Sequence, residues 1–121
     1  MKKSKFRGPE SARTNAVIAL LEKTARKNKA RVWKVVAEFL RKPSRSKKKG
    51  VNLFKIDRFA RDGELIVVPS VLLGHGSVSK NVHVAAFKAS KSAKEKLGAK
   101  LLPLEIAVER HATGKNVRII V

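Results

Sequence analysis

The sequence predicts an α/β fold: a small, irregular mixed domain that begins with a basic two-helix extension. Apolar residues recur at helical spacing twice within the first 50 residues, whereas β-branched runs and short helical stretches alternate over the remainder. Hydrophobic residues make up 43% of the 121 residues, enough for one real core. We therefore predict a single domain, with a basic helical part over residues 1–50 and a globular part over residues 51–121.

The N-terminal part is predicted to be a basic arm followed by two helices. Residues 1–13 alternate cations with small or helix-breaking residues and show no apolar period, so we expect no regular structure there without a partner. Thr14 and Asn15 are good N-cap residues for a first helix that ends near Asn28. A second helix is predicted from Ala30 to Arg41, because Pro43 disfavours its continuation.

The second part is predicted to alternate strands and helices. β-branched runs indicate strands, whereas Ser90 or Ser92 as an N-cap and Gly98 as a stop indicate a helix between them. The predicted order is a β-like segment over 51–56, a turn at 61–63, a strand over 64–69, a strand over 82–87, a helix to Leu97, a helix over 104–109 and a strand over 117–121. Five aromatic residues lie in apolar patterns and are predicted to join the core: Trp33, Phe39, Phe54, Phe59 and Phe87.

The charge is the most unusual property of the chain. There are 29 Lys and Arg against 9 Asp and Glu, a net charge of +20, and self-repulsion of that size favours a polyanionic partner. The stretch LRKPSRSKKKG at 40–50 has no acidic residue, and it is typical of a solvated linker, a nuclear-import signal or an anion-binding surface. The total charge favours the anion-binding surface, with Arg side chains fixing phosphates through two hydrogen bonds and Lys supplying mainly field.

Most other classes of site are disfavoured by the sequence. Cysteine is absent, which excludes disulfides and thiolate sites and favours an intracellular protein. The nearly apolar run 65–74 is too short to span a membrane, so we expect the protein to be soluble. The three histidines, His75, His83 and His111, are too far apart for a local metal motif. We predict no metal, no cofactor and no enzymatic activity.

Two local patterns could be mistaken for catalytic sites. The spacing of Gly74, Gly76 and Lys80 does not match a nucleotide-binding loop, so we predict a turn between strands 65–72 and 82–87. The carboxylates at 57, 62 and 64 lie among Arg58 and Arg61 and are predicted to be ion-paired surface groups. An enzyme that uses residues 74–80 on nucleotides stays a disfavoured alternative.

Taken in order, five segments resemble the archaeal and eukaryotic large-subunit ribosomal protein family L-eighteen-e, which shares a superfamily with bacterial ribosomal protein L-fifteen. They are VWKVVAEFLRKP at 32–43, VNLFKIDRFA at 51–60, IVVPSVLLGHG at 66–76, VHVAAFKASKSAKEKL at 82–97 and GKNVRII at 114–120. The chain departs from the family pattern where Ser70 and Val71, in place of glycine and lysine, follow Pro69. The resemblance implies an α/β domain that binds large-subunit ribosomal RNA as a structural component of the cytoplasmic ribosome, as a monomer beside neighbouring ribosomal proteins.

From charge and resemblance together we expect RNA contacts on the arm, both helices, the basic run and the turns of the second part. The expected residues are Lys2, Lys3, Lys5, Arg7, Arg13, Arg31, Lys34, Arg41, Lys42, Arg45, Lys47, Lys48, Lys49, Asn52, Arg58, Arg61, Gly74, His75, Gly76, Lys80 and Arg118. The rival interpretation is a DNA-binding or architectural protein, in which the two helices form a helix-turn-helix and Arg31 and Lys34 read a groove.

Overall fold

A parallel sheet between two layers of helices forms the fold in this computed structural model, which describes residues 8–41 and 50–121, with backbone alone at 8–11. The elements are α1 (Gly8–Asn28), α2 (Arg31–Arg41), β1 (Val51–Asn52), α3 (Leu53–Phe59), β2 (Leu65–Leu73), β3 (His83–Ala89), α4 (Lys91–Leu97), β4 (Leu101–Pro103), α5 (Leu104–Arg110) and β5 (Val117–Ile119). A single 3-10 turn, Gly98–Lys100, precedes β4. The predicted mixed α/β class is confirmed.

The central strand of the sheet is β2. It pairs with β3 along one edge, while β5 and β1 share the other edge, β5 beside residues 65–67 and β1 beside residues 72–73. β4 adds to the outer side of β3, and every pairing is parallel. Since two parallel strands cannot be joined by a hairpin, residues 74–82 carry the chain back along the sheet as a crossover, and the predicted turn is wrong in that respect.

The two faces of the sheet build two hydrophobic clusters. Side chains alternate along a strand, so Leu65 and Val67 of β2 face α1, α2 and α5, whereas Ile66 and Val68 face α3 and α4. Trp33 of α2 is fully buried in the first cluster, and its Nε1 donates a hydrogen bond to the carbonyl oxygen of His111 at 3.1 Å. The predicted basic helices thus help to form the core.

Several local predictions are confirmed. Ser90 caps α4, its Oγ accepting a hydrogen bond from the Ala93 amide at 3.2 Å, and Gly98 ends the helix with φ of 53°. A helix follows Pro103, and the chain returns to the sheet as β5. His83 is exposed between the buried Val82 and Val84.

Three further predictions are wrong. The first helix begins at Gly8, so residues 8–13 of the predicted arm are helical and Thr14 is no N-cap. The segment 51–56 is a two-residue strand followed by α3, because the buried Leu53, Ile56 and Ala60 recur at helical spacing. Phe54 and Phe59, predicted to be core, therefore point away from the apolar face, and they are 53% and 50% exposed.

Candidate nucleic-acid interface

The carboxyl edge of the sheet brings together the first group of predicted site residues. Asn52 ends β1 and Gly74, His75 and Gly76 follow β2, and carboxyl ends of parallel strands meet at the same edge. This edge is where open α/β sheets commonly bind ligands. Asn52 and the loop residues 74–76, which are far apart in the sequence, are thus neighbours in the fold.

Short contacts fix the backbone of this group. The amide of Phe54 donates to the carbonyl oxygen of His75 at 3.1 Å, and the Nζ of Lys96 in α4 donates to the carbonyl oxygens of Gly74 at 2.7 Å and Gly76 at 2.9 Å. The exposed His75 ring meets the Phe54 ring edge-on, with centroids 5.9 Å apart. Lys96, which sequence reasoning missed, therefore links α4 to the loop after β2.

Both glycines of this loop are required by close packing. A Cβ on Gly74 would lie 2.2 Å from Ser92 Oγ, and one on Gly76 would lie 2.7 Å from Phe54 Cβ. Gly76 also has φ of 91°, a conformation that other residues rarely adopt. The glycines therefore hold the loop against α3 and α4, and the loop leads into a strand instead of the helix that a nucleotide-binding loop requires.

The crossover runs alongside α3 and is held by two carboxylates. Asp57 Oδ1 accepts hydrogen bonds from the amide and the hydroxyl of Ser79, both at 2.9 Å, and Asp62 Oδ1 accepts one from the amide of Asn81 at 2.8 Å. Hydrogen bonding from Ser79 lowers the pKa of Asp57. Asp57 and Asp62 therefore hold backbone, in place of the ion pairs with Arg58 and Arg61 that the sequence predicts.

A second group of predicted residues lies at the amino end of the sheet. Lys80 Nζ donates to the carbonyl oxygen of Ala60 at 2.6 Å, so this ammonium group fixes the end of the crossover. Arg118 of β5 makes a two-point ion pair with Glu64, at 2.9 and 3.1 Å. That contact lowers the pKa of Glu64 and raises the pKa of Arg118. Arg61 is exposed, and its amide donates to Glu64 Oε1.

The third group lies on the two N-terminal helices. Arg31 and Lys34 are exposed on α2, opposite the buried Trp33 face, and Arg41 forms an ion pair with Glu22 of α1. Arg13 makes extensive contacts within the protein. Its guanidinium forms a two-point ion pair with Glu105, at 3.0 and 3.1 Å.

Further contacts hold Arg13 beside β3. Its Nη1 donates to the carbonyl oxygen of Phe87, and its Cζ lies 4.4 Å from the centre of the Phe87 ring. The ion pair lowers the pKa of Glu105. Arg13 also lines an open cavity of about 570 Å³ together with Lys88 and Lys94, beside the edge strand β4. The arrangement fastens α1 to the sheet.

The predicted residues of the arm and of the basic run fall outside the residues that the structure describes. They are Lys2, Lys3, Lys5, Arg7, Lys42, Arg45, Lys47, Lys48 and Lys49. Two residues at the ends of the basic stretch 40–50 are described: Arg41, which forms its ion pair on the surface, and Gly50, where a Cβ would lie 2.5 Å from Leu73 Cδ1. Both ends of the stretch thus contact other parts of the fold.

Sequence reasoning missed the exposed aromatic side chains of α3. Arg58 places its Cζ 5.6 Å from the centre of the half-exposed Phe59 ring, and Phe54 lies beside His75. The signal was available, because the spacing of Leu53, Ile56 and Ala60 indicates a helix whose apolar face excludes both phenylalanines.

Other kinds of site find no support in the described part of the chain. Over 8–41 and 50–121 there is no group of three or more His, Asp or Glu that could hold a metal ion. Within the same ranges, no helix is both long and apolar enough to cross a membrane.

Comparison with known proteins identifies close relatives along nearly the whole chain. It is 38% identical over 117 residues to the large ribosomal subunit protein eL18 of Pyrobaculum aerophilum, a match that covers 94% of this chain and 95% of the relative. Identity to the eL18 proteins of Methanococcus maripaludis and Halobacterium salinarum is 40% and 42%, covering 89% and 91% of this chain and 92% and 96% of those relatives. No protein-family model matches the chain.

These relatives confirm the resemblance to the L-eighteen-e family that the five sequence segments indicate. Identity near 40% over about nine-tenths of both chains leaves no large part of the fold outside the comparison. The chain belongs to the eL18 family of large ribosomal subunit proteins.

Proposed function

We propose that this protein is a structural constituent of the large ribosomal subunit that binds ribosomal RNA through its basic surface. It is held as a single copy in the cytoplasmic ribosome, beside neighbouring ribosomal proteins, and it catalyses no reaction. The observation that carries the proposal is the excess of cations in a chain of the eL18 family. Even if each acidic side chain neutralised one cation, 20 positive charges would be left without a carboxylate.

A large cation excess suits a polyphosphate partner. Each Lys or Arg that neutralises a phosphate releases condensed counterions, so affinity becomes high and strongly dependent on salt. The structure describes exposed cations on the outer face of α2, on α3 and along α4. Because these cations lie on several different elements, their distribution favours contact with several RNA segments.

The strongest local support lies around the basic run. At its two ends, Arg41 pairs with Glu22 and Gly50 packs against the end of β2. The loop Gly74–Gly76 follows that same end of β2, so the run rejoins the fold at the carboxyl edge, beside Asn52 and His75. We propose that the run and this edge form one RNA-binding surface.

The proposal is tested first by location. In a native cell lysate the protein is expected to sediment with the large ribosomal subunit, in near-unit stoichiometry, and to stay there through a high-salt wash that strips loosely held cationic proteins. Release into the soluble fraction, or recovery on chromosomal DNA, would contradict it.

A salt titration tests the basic run with a matched control. Replacing Arg45 and Lys47 to Lys49 by Ala removes four cations. The control removes one Arg and three Lys that are exposed in the last turns of α1 and just after it: Lys23, Arg26, Lys27 and Lys29. Binding to a ribosomal RNA fragment is measured as the slope of the logarithm of the association constant against the logarithm of the salt concentration. In the first variant this negative slope is expected to become shallower by about 3, at ~0.7–0.9 for each lost phosphate contact. An equal fall in both variants would mean that the run acts only through its charge.

The helix-turn-helix alternative is tested in the same assay. In this structure α1 and α2 pack together on a sheet and bury a broad face of α2, which leaves few α2 side chains for base edges. We expect ribosomal RNA to compete better than duplex DNA of equal length for the protein. Equal competition would favour the DNA-binding alternative.

A further inference from the structure

α3 carries two half-exposed phenylalanines, one on each side of its buried face, within a strongly basic protein. Phe54 is 53% and Phe59 50% exposed, although burying a phenylalanine is ordinarily favourable by ~2 kcal/mol. In the described part of the chain the other large hydrophobic side chains with comparable exposure are Val35 and Val121. Two such aromatic rings on one seven-residue helix indicate a surface that a partner covers.

The surroundings of these rings favour a nucleic-acid partner. Next to Phe59 lies the exposed Arg58, whose guanidinium covers part of the ring, and next to Phe54 lies the exposed His75. The acid between them in the sequence, Asp57, is occupied by the two hydrogen bonds from Ser79. Aromatic rings beside an arginine and a histidine in a strongly basic protein match the chemistry of an unpaired nucleotide, which offers a flat base and a phosphate together.

The helix backbone that carries the rings is also held firmly, which favours a stacking surface. α3 packs through the buried Leu53 and Ile56, and Gly76 lies so close to Phe54 that a Cβ there would be 2.8 Å from the Phe54 amide nitrogen. A ring whose backbone is fixed loses little further freedom on binding, so more of the stacking energy appears as affinity.

We infer that α3 is a stacking site for unpaired RNA bases, with Phe54 and His75 receiving one base and Phe59 and Arg58 another. The inference rests on the proposed function and adds a contact to unstacked bases, as distinct from the neutralisation of phosphates. Bases in a regular duplex are already stacked on one another, so this site discriminates single-stranded segments from double-stranded RNA.

The test compares two RNA probes on the full-length chain. The probes are a fluorescently labelled oligoadenylate and a duplex RNA of equal length, titrated at constant salt. The variants are Phe54→Leu and Phe59→Leu, singly and combined, with Val35→Ala as the control because it trims an exposed apolar side chain on α2. Since these side chains are half exposed, the variants keep the buried core intact. A second control, Phe54→Trp, keeps an aromatic ring at this position.

The double Leu variant is expected to bind oligoadenylate about tenfold or more weakly than the wild type, with the duplex affinity and the salt slope unchanged. Phe54→Trp and Val35→Ala should bind like the wild type. Unchanged oligoadenylate binding in the double variant would overturn the inference, as would an equal loss on both probes. So would a double variant that binds both RNAs normally but no longer assembles with ribosomal proteins, since the patch would then contact protein. Failure of the wild type to bind either RNA would instead refute the proposed function.

Discussion

Substituting Ala for Gly76, compared with the same change at Gly63, measures how tightly the crossover is packed. Both glycines have positive φ, 91° and 88°, so Ala is strained at each. Their surroundings differ: a Cβ at Gly63 meets nothing within 4 Å, whereas at Gly76 it meets Phe54 Cβ at 2.7 Å and Phe54 N at 2.8 Å. The pair therefore separates backbone strain from packing.

The expected magnitudes follow from these contacts. Left-handed backbone costs a non-glycine residue ~1–2 kcal/mol, and the lower entropy of the unfolded alanine chain offsets ~0.4–1 of it. We expect Gly63→Ala to lower the free energy of unfolding by about 1 kcal/mol. Gly76→Ala should lower it by a further ~1–3 kcal/mol, because the Phe54 atoms in the way include helix backbone that moves only with α3.

Urea unfolding provides the assay, followed through the fluorescence of Trp33, the single tryptophan of the chain, which is fully buried. With a slope of ~1–3 kcal/mol per M for a small protein, the midpoints of the two variants should differ by roughly 1 M. Equal midpoints would refute the packing of the crossover against α3, and with it the fixed position of Phe54.

Three further predictions concern stability in the same assay. Glu105→Gln is expected to lower the free energy of unfolding by about 0.5–1 kcal/mol at pH 7, since the ion pair with Arg13 is partly exposed. Because the ion pair lowers the pKa of Glu105, it stabilises the fold at pH values above the usual pKa of 4.5, and this stabilisation is lost as the pH falls through the lowered pKa. The difference in stability between variant and wild type should therefore vanish in acid. A difference that stays constant with pH would exclude the ion pair as its cause. Ser70→Ala is expected to raise stability by about 1 kcal/mol, because the buried Ser70 Oγ has no hydrogen-bond partner among the described residues, and a loss of stability would indicate a bound water there. Ser90→Ala should cost about 1 kcal/mol through loss of the α4 cap, whereas Ser92→Ala, which leaves the cap in place, should cost less.

Elements whose signals are local could be predicted from the sequence. α2 was placed within one residue, because its apolar stripe ends just before Pro43, and α4 and α5 were placed by a serine cap, a glycine stop and a preceding proline. The cation excess and the family resemblance were likewise readable, since neither depends on how the chain folds. The specific RNA contacts, including those of the basic run, stay predictions.

Properties that depend on distant partners were decided by the tertiary structure. The run Leu65–Val68 is buried on every side chain because helices cover both faces of the sheet. The pairing of β2 with β3 is parallel, so the expected turn at 74–82 is a crossover. From the sequence alone, Arg13 is one more cation of a basic arm. In the structure it belongs to α1 and lies beside Glu105, which is far away in the sequence. The sequence predicts Phe54 and Phe59 to be core residues, whereas the helical geometry of α3 leaves both side chains exposed. Composition thus predicts a polyanionic partner, because net charge does not depend on the fold, whereas packing decides which side chains are exposed.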